Sequence, residues 1–333
     1  MMRILHMLVC GVLVTAAAPL QADYSEHPRA GELIRELSRD GVYTEAELRA
    51  ILRDARKNPK LIEAEQTAPE KTRTWPEYRG IFVKPERISA GQRFLEEHAD
   101  SLLRMHRDHG VPAELVTAII GVETLYGAYT GPHRILDSLA TQGFDHPTRT
   151  PFFFSELKEF LRLSKDKGWD PREPKGSYAG AMGMAQFMPS NYRRLALDFD
   201  ADGEIDLWQP TDAIGSIANY LRHYVGRDQG WRRGEAVAYP VKIADTRNLV
   251  FNKKATTSQW KDLRPHLSGT LPQLSAGQPV GLIALDLGNG QTQHWLALPN
   301  FYAILSYNPR PYYAMAVWHL AEAIAGRETG RLP

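Results

Sequence analysis

Residues 119–127 read I-I-G-V-E-T-L-Y-G, and the glutamate among them, Glu123, stands in company that usually excludes a charge. Ile119 and Ile120, four and three residues earlier, share its face if the segment is helical, so the carboxylate looks into apolar surroundings rather than bulk water. A carboxylate in that position must be paired, or must hold its proton and use it. An apolar cleft favours the neutral acid and can raise a carboxyl pKa to about 6, which suits a general acid. The competing reading is a buried glutamate hydrogen-bonded to a tyrosine within the core. Pro112 can open the helix that carries Glu123, and Gly127 can close it.

The surrounding sequence is helical in character from Ser25 to about Lys167. Thr44 with Glu47 and Ser89 with Gln92 have the spacing of capping boxes, in which each side chain satisfies an orphan donor of the first helical turn. Thr150-Pro151 opens another helix with Phe153, Leu157, Phe160, Leu161 and Ser164 on one stripe, and Gly168 ends it. The run from Ile214 is again helical. After Gly234 the pattern changes to short β-leaning runs, A-V-A-Y-P-V-K-I, P-V-G-L-I-A-L-D-L and H-W-L-A-L, with a Gly288-Asn289-Gly290 turn between the last two. Helical periodicity returns from Pro311 to Ala325. These signals predict a mainly α (α+β) protein, with a helical part at 23–110 joined by the returning 311–333, a core at 111–234, and a small β part at 235–305.

Two further stretches carry chemistry. G-S-Y-A-G-A-M-G-M-A-Q-F-M-P-S-N-Y, residues 176–192, combines three glycines with few polar groups, among them Ser177, Tyr178 and Gln186, as walls of sugar and small-ligand sites do. In isolation its default reading is a helix packed closely on a neighbour through small residues. D-F-D-A-D-G-E-I-D, residues 198–206, sets aspartates at loop positions one, three and five and glycine at six, the start of an EF-hand calcium loop. Position twelve is Gln209, so the usual closing glutamate is missing; Asp206 and Asp212 are the acids available for an enlarged variant. The rival here is a solvated acidic turn. A single such loop fits a structural ion rather than a sensor.

Composition narrows the function classes. The 333 residues are 43% hydrophobic and 24% charged with a formal net charge of +1, which predicts a large core and no basic face for nucleic acid. The N-terminus has a basic Arg3, an apolar run to Ala18 and Leu20-Gln21-Ala22, the pattern of a secretory signal peptide over 1–22 and hence of a periplasmic destination. Cys10, the one cysteine, follows Val9 in mid-run and makes a poor lipid-attachment site, so the mature chain has no disulfide or thiolate chemistry. No later stretch is apolar for long enough to span a bilayer.

Taken in order, T-R-T-W-P-E-Y-R, G-V-P-A-E-L-V-T-A-I-I-G-V-E-T-L-Y-G, G-S-Y-A-G-A-M-G-M-A-Q-F-M-P and D-F-D-A-D-G-E-I-D-L-W resemble the signatures of the lytic murein transglycosylase B family, over about Gly31 to Ala325. The resemblance implies a lysozyme-like helical core with a helical subdomain and a small β subdomain. It implies that the partner is the peptidoglycan glycan strand. It places the catalytic glutamate on Glu123 and the saccharide contacts on Ser177, Gln186, Tyr220, Tyr307, Asn308 and Tyr313. It also implies a structural Ca2+ held by Asp198, Asp200, Asp202, the backbone carbonyl of Glu204, and Asp212, with no organic cofactor.

Most glycosidases use two carboxylates, and the family pattern supplies one. The expected reaction cleaves the β-1,4 bond between N-acetylmuramic acid and N-acetylglucosamine, with Glu123 as acid and then base and a 1,6-anhydromuramoyl end as product. Two alternatives stand beside it. One is a hydrolytic muramidase, for which Asp137 is the nearest downstream acid, although I-L-D-S-L-A reads more naturally as a helix-capping aspartate. The other is a non-catalytic peptidoglycan-binding scaffold.

Overall fold

The computed structural model describes residues 23–66, 72–224 and 230–327. The expected signal peptide, Cys10 included, and the end of the returning segment at 328–333 lie outside the described residues. Six helices follow one another in the first part: Ala30–Arg39, Glu45–Asp54, Lys60–Gln66, Trp75–Phe82, Pro85–Glu97 and Ala99–His109. The capping box at Thr44 and Glu47 forms, with Glu47 N donating to Thr44 Oγ1 at 3.2 Å and Thr44 N donating to Glu47 Oε2 at 2.7 Å. The one expected at Ser89 and Gln92 does not. Both residues lie inside Pro85–Glu97, whose first turn is opened by Pro85, so no orphan donors exist there to cap. Thr74 and Glu77 make an unanticipated second box in front of Trp75–Phe82.

The central helices are Ala113–Thr124, which bears Glu123, then Ile135–Asp145, Thr150–Asp166, Pro189–Leu195 and Pro210–His223. Thr150–Asp166 buries Phe153, Leu157, Phe160, Leu161 and Ser164 as its stripe requires, and stops before Gly168 at φ 65°. A two-residue antiparallel pair, His133–Arg134 with Lys175–Gly176, ties the segment after Glu123 to the glycine-rich stretch.

Five antiparallel strands form one sheet in the order Ser258–Gln259, Pro279–Gly288, Gln291–Ala297, Ala238–Ile243, Leu267–Ser268. The hairpin alternates between two buried clusters. Ile283, Leu285, Trp295 and Ala297 join the main helical core, while Val280, Leu282, Leu296 and Leu298 pack with Val241, Trp260, Leu263 and Leu267 in a smaller one. Both faces are covered, which is why these strands read as unbroken apolar runs.

The segment expected as a small β part, 235–305, holds helix as well as strand. From Pro299 to Tyr307 it is a helix whose Phe301, Ala303, Ile304 and Leu305 belong to the main core. A nine-residue apolar run after a strand has no periodicity strong enough to separate helix from strand. The last helix, Pro311–Ile324, packs on Ala113–Thr124 and on Trp75–Phe82. No described helix is long and apolar enough to cross a membrane.

Candidate active site

The Glu123 helix ends earlier than Gly127. Leu125, Tyr126 and Gly127 all have positive φ, at 54°, 60° and 87°, so the helix stops at Thr124 and Glu123 lies in its final turn. Two consecutive left-handed non-glycine residues are costly, about 1–3 kcal/mol each, and persist only where neighbours impose them. Thr124 contributes through its hydroxyl, which donates to Ile120 O at 3.1 Å and accepts from Gly127 N at 3.0 Å. Arg87, from helix Pro85–Glu97, contributes twice: its Nη1 donates to Gly121 O at 2.6 Å, and its carbonyl accepts from the Tyr126 hydroxyl at 2.8 Å. No local sequence signal marks Arg87 for this role.

Ile119 and Ile120 are fully buried, whereas Glu123 is half-buried. The apolar face of the helix thus runs out at the carboxylate. Tyr313, 190 residues away on the last helix, donates its hydroxyl to Glu123 Oε1 at 2.5 Å. Its burial and the charge of Glu123 push the Tyr313 phenol well above its ordinary pKa, so it remains a donor. Tyr313, expected as a saccharide contact, is therefore a partner of the glutamate and is itself 3% exposed. The tyrosine bond belongs to the core reading of Glu123, but the partial exposure does not.

The glycine-rich stretch is a looped wall, not the closely packed helix of the alternative reading. Met182 and Phe187 exchange backbone bonds, Met184 N donates to Leu207 O at 2.7 Å, and Gly176 lies against Ala181 O so closely that a Cβ would sit 2.1 Å away. Ser177 Oγ accepts from Ala179 N at 3.3 Å and Ala181 N at 3.0 Å. Gln186, at φ 49°, donates through Nε2 to Thr130 O at 3.1 Å and Gly183 O at 2.9 Å. Both side chains shape the wall. Each keeps hydrogen-bonding capacity beyond these bonds.

Tyr307 donates to Ala185 O, and Tyr220 to Ser306 O at 2.7 Å. Tyr220, 3% exposed, stacks on Tyr224 with ring centroids 4.4 Å apart and meets Tyr307 at 4.7 Å. Asn308 is half-buried just past the helix that ends at Tyr307. These aromatics border a cavity of about 1060 Å³ that reaches Arg149, Glu156 and Arg194. Glu123 does not line that cavity, but its charge reaches Tyr307, whose phenol is raised by burial first and by Glu123 second.

Neither candidate for a second carboxylate has the setting of one. Asp137 does not cap its own helix: Oδ1 accepts from Arg56 N at 2.9 Å and Oδ2 lies 3.7 Å from Arg134 Nε. Glu156, a buried acid the sequence reading missed, accepts from Ser190 N at 2.9 Å and Ser190 Oγ at 2.7 Å. It thereby holds the start of helix Pro189–Leu195.

In the acidic loop, Asp198, Asp200 and Asp212 each bring a carboxylate oxygen within 4.8 Å of the others. Asp212, 2% exposed, accepts from Phe199 N and Asp206 N, both at 2.7 Å, and burial pushes its carboxyl up. Asp202 accepts from Glu204 N at 2.8 Å, and the Glu204 carboxylate turns outward to Lys167 Nζ at 2.9 Å. Of the two further acids, Asp206 at position nine and Asp212 at position fifteen, Asp212 joins the cluster, while Asp206 accepts from Trp208 N at 2.9 Å.

Comparison with known proteins gives a consistent family. The family model described as Transglycosylase SLT domain matches residues 25–322. Membrane-bound lytic murein transglycosylase B of Escherichia coli (strain K12) is 38% identical over 315 residues, covering 91% of this chain and 84% of that protein. The catenated lytic transglycosylase SltB1 from Pseudomonas aeruginosa superposes with a TM-score of 0.83 at 41% identity, covering 91% of this chain and 99% of that one. The Escherichia coli lytic transglycosylase Slt35 in complex with calcium superposes with a TM-score of 0.80 at 38% identity, covering 91% and 94%.

Proposed function

We propose, from the premise that this chain belongs to the transglycosylase SLT domain family and is a peptidoglycan lytic transglycosylase, that Glu123 serves as both its acid and its base. The observation that carries this reading is the half-buried Glu123 at the end of an apolar helix, held by Tyr313. In the first step Glu123 protonates the 4-oxygen of the departing N-acetylglucosamine. The N-acetyl oxygen of the muramoyl sugar stabilises the cationic centre, replacing a second carboxylate. The Glu123 carboxylate then takes the proton from the muramoyl 6-hydroxyl as that oxygen closes on the anomeric carbon. The held hydroxyl competes with bulk water through its high effective molarity. The wall formed by Ser177 and Gln186, the aromatic border of Tyr220 and Tyr307, and the adjoining Asn308 are assigned to saccharide positioning.

Mass spectrometry of digested sacculi tests the reaction directly. Anhydro ends, one water lighter than reducing ends, are the expected products; reducing ends alone would make the chain a hydrolase. Tyr313→Phe removes one hydrogen bond to a carboxylate that must bear charge between the two steps. Such bonds contribute about 1.5–3 kcal/mol. Turnover of the Phe variant should therefore fall by roughly 10- to 100-fold with little change in KM. Equal turnover in wild type and variant would assign Tyr313 to packing alone.

The acidic loop is assigned to a structural calcium ion held by Asp198, Asp200, Asp212, the Glu204 carbonyl and Asp202. Three converging carboxylates, one of them buried, repel one another, and a hard cation with oxygen ligands relieves that repulsion. The calcium complex of Slt35 supports the choice of metal. At calcium a hundredfold above its Kd the ion adds about 2.7 kcal/mol to stability. Chelator should lower the melting temperature of the wild-type chain by several degrees and leave Asp212→Asn unmoved. A wild-type melt indifferent to chelator would exclude the ion. The leader-like segment supports a periplasmic location.

A further inference from the structure

Outside the cleft, Lys167, Trp169, Glu173, Pro174, Lys175, Ile205 and Trp208 enclose a second hollow of about 470 Å³ beside the acidic loop. We propose that this hollow binds a neutral pyranose residue, giving the chain a second grip on a glycan strand. The inference rests on the glycan substrate of the proposed function.

The shape of the hollow comes from two tryptophans. The Trp169 and Trp208 rings lie 6.0 Å apart at 77°, so the indoles form two walls of a corner. Trp169 is backed edge-on by Tyr192, 6.0 Å away at 89°, and the buried Tyr192 is fixed by donating to Ile205 O at 2.7 Å. Both tryptophans are only half-buried. Each therefore keeps apolar ring surface in contact with water, which a ligand with an apolar face would cover.

The rim decides the class of ligand. Lys167 and Lys175 are opposed by Glu173, Glu204 and Asp206, so neither an anion nor a cation meets a field of one sign. Such a rim offers donors and acceptors together, as the hydroxyls of a neutral sugar require, while the carbon-bound hydrogens of a pyranose suit an indole face. The volume lies within the range of small-ligand sites, about 300–1,000 Å³.

The hollow also shares backbone with the cleft wall. Leu207, next to Trp208, accepts from Met184 N at 2.7 Å, and Lys175 leads directly into Gly176 and the glycine-rich loop.

The test compares retention on insoluble sacculi of the Glu123→Gln chain with the same chain carrying Trp169→Leu and Trp208→Leu. The tryptophan substitutions are also made in the active chain, whose turnover of a soluble tetrasaccharide repeat is measured. Retention should fall at least fivefold, while soluble turnover stays within twofold. Unchanged retention would overturn the proposal. The double substitution removes packed rings, so Glu173→Ala with Lys175→Ala alters the same rim through two exposed side chains. It should lower retention two- to fivefold with an unaltered melting temperature, and full retention in that variant would count equally against the site. Cleavage by the unsubstituted chain is scored separately, so the function reading and this one fail independently.

Discussion

Glu123→Gln is expected to abolish cleavage of sacculi while leaving the fold and glycan binding in place. The amide oxygen of glutamine can still accept the Tyr313 hydroxyl, now 2.5 Å from Glu123 Oε1, so the side chain keeps its position. What disappears is the proton. An amide neither donates one to a leaving oxygen nor takes one from a hydroxyl. General acid–base assistance contributes roughly 10²–10⁴-fold to a single step. Here one residue serves two, so loss of at least about a thousandfold is expected. The measurement is release of soluble muropeptides over time, with melting temperature and sacculus binding as controls. More than a tenth of wild-type activity would require another acid. A cellular effect that survives the substitution in full would favour a binding scaffold over an enzyme.

Gly183→Ala should produce a large loss of stability in the cleft wall. Gly183 has φ 66°, and a Cβ there would lie 2.5 Å from Leu207 O and 2.6 Å from Leu207 C. These are backbone atoms, and Leu207 O is already engaged by Met184 N. The new methyl cannot be accommodated by a side-chain rotation. The left-handed conformation adds about 1–2 kcal/mol for alanine, and overpacking adds about 1–3 kcal/mol. Gly168 is the control, since its φ is 65° but its Cβ would meet nothing within 4 Å. Gly168→Ala should therefore cost only the conformational part. Denaturant titration of the two variants separates the terms, and equal midpoints would show that the Gly183 contact relaxes freely. Because Leu207 adjoins Asp206, whose amide bonds to Asp212, Gly183→Ala should also weaken the response to chelator.

Local signals were read well where a few neighbouring residues decide the outcome. The Thr44–Glu47 box, the stripe of Thr150–Asp166 and the Gly288–Gly290 turn each involve partners within one or two turns of chain. The misreadings have equally local causes. Ser89 and Gln92 have box spacing but sit mid-helix, and Pro299–Tyr307 is too apolar all round to reveal its period. Gly127 was a reasonable stop for its helix. The chain turns two residues sooner because Arg87 and Thr124 hold Leu125 and Tyr126 left-handed.

By itself the sequence determined the helical character, the apolar strands, the unusual position of Glu123 and the beginning of an oxygen-rich loop, because each follows from periodicity or spacing along the chain. Through its resemblance to a family it also named Asp212 and Tyr313 as site residues. It could not say what they touch. Tertiary structure alone decided that Tyr313 bonds to the glutamate itself, that Asp212 closes on Asp198 and Asp200, and that Trp169 and Trp208 form a corner. Hydrogen bonds and ring contacts act over a few ångströms, and only the packing of the last helix on the Glu123 helix, and of the acidic loop on Pro210–His223, brings those groups within range.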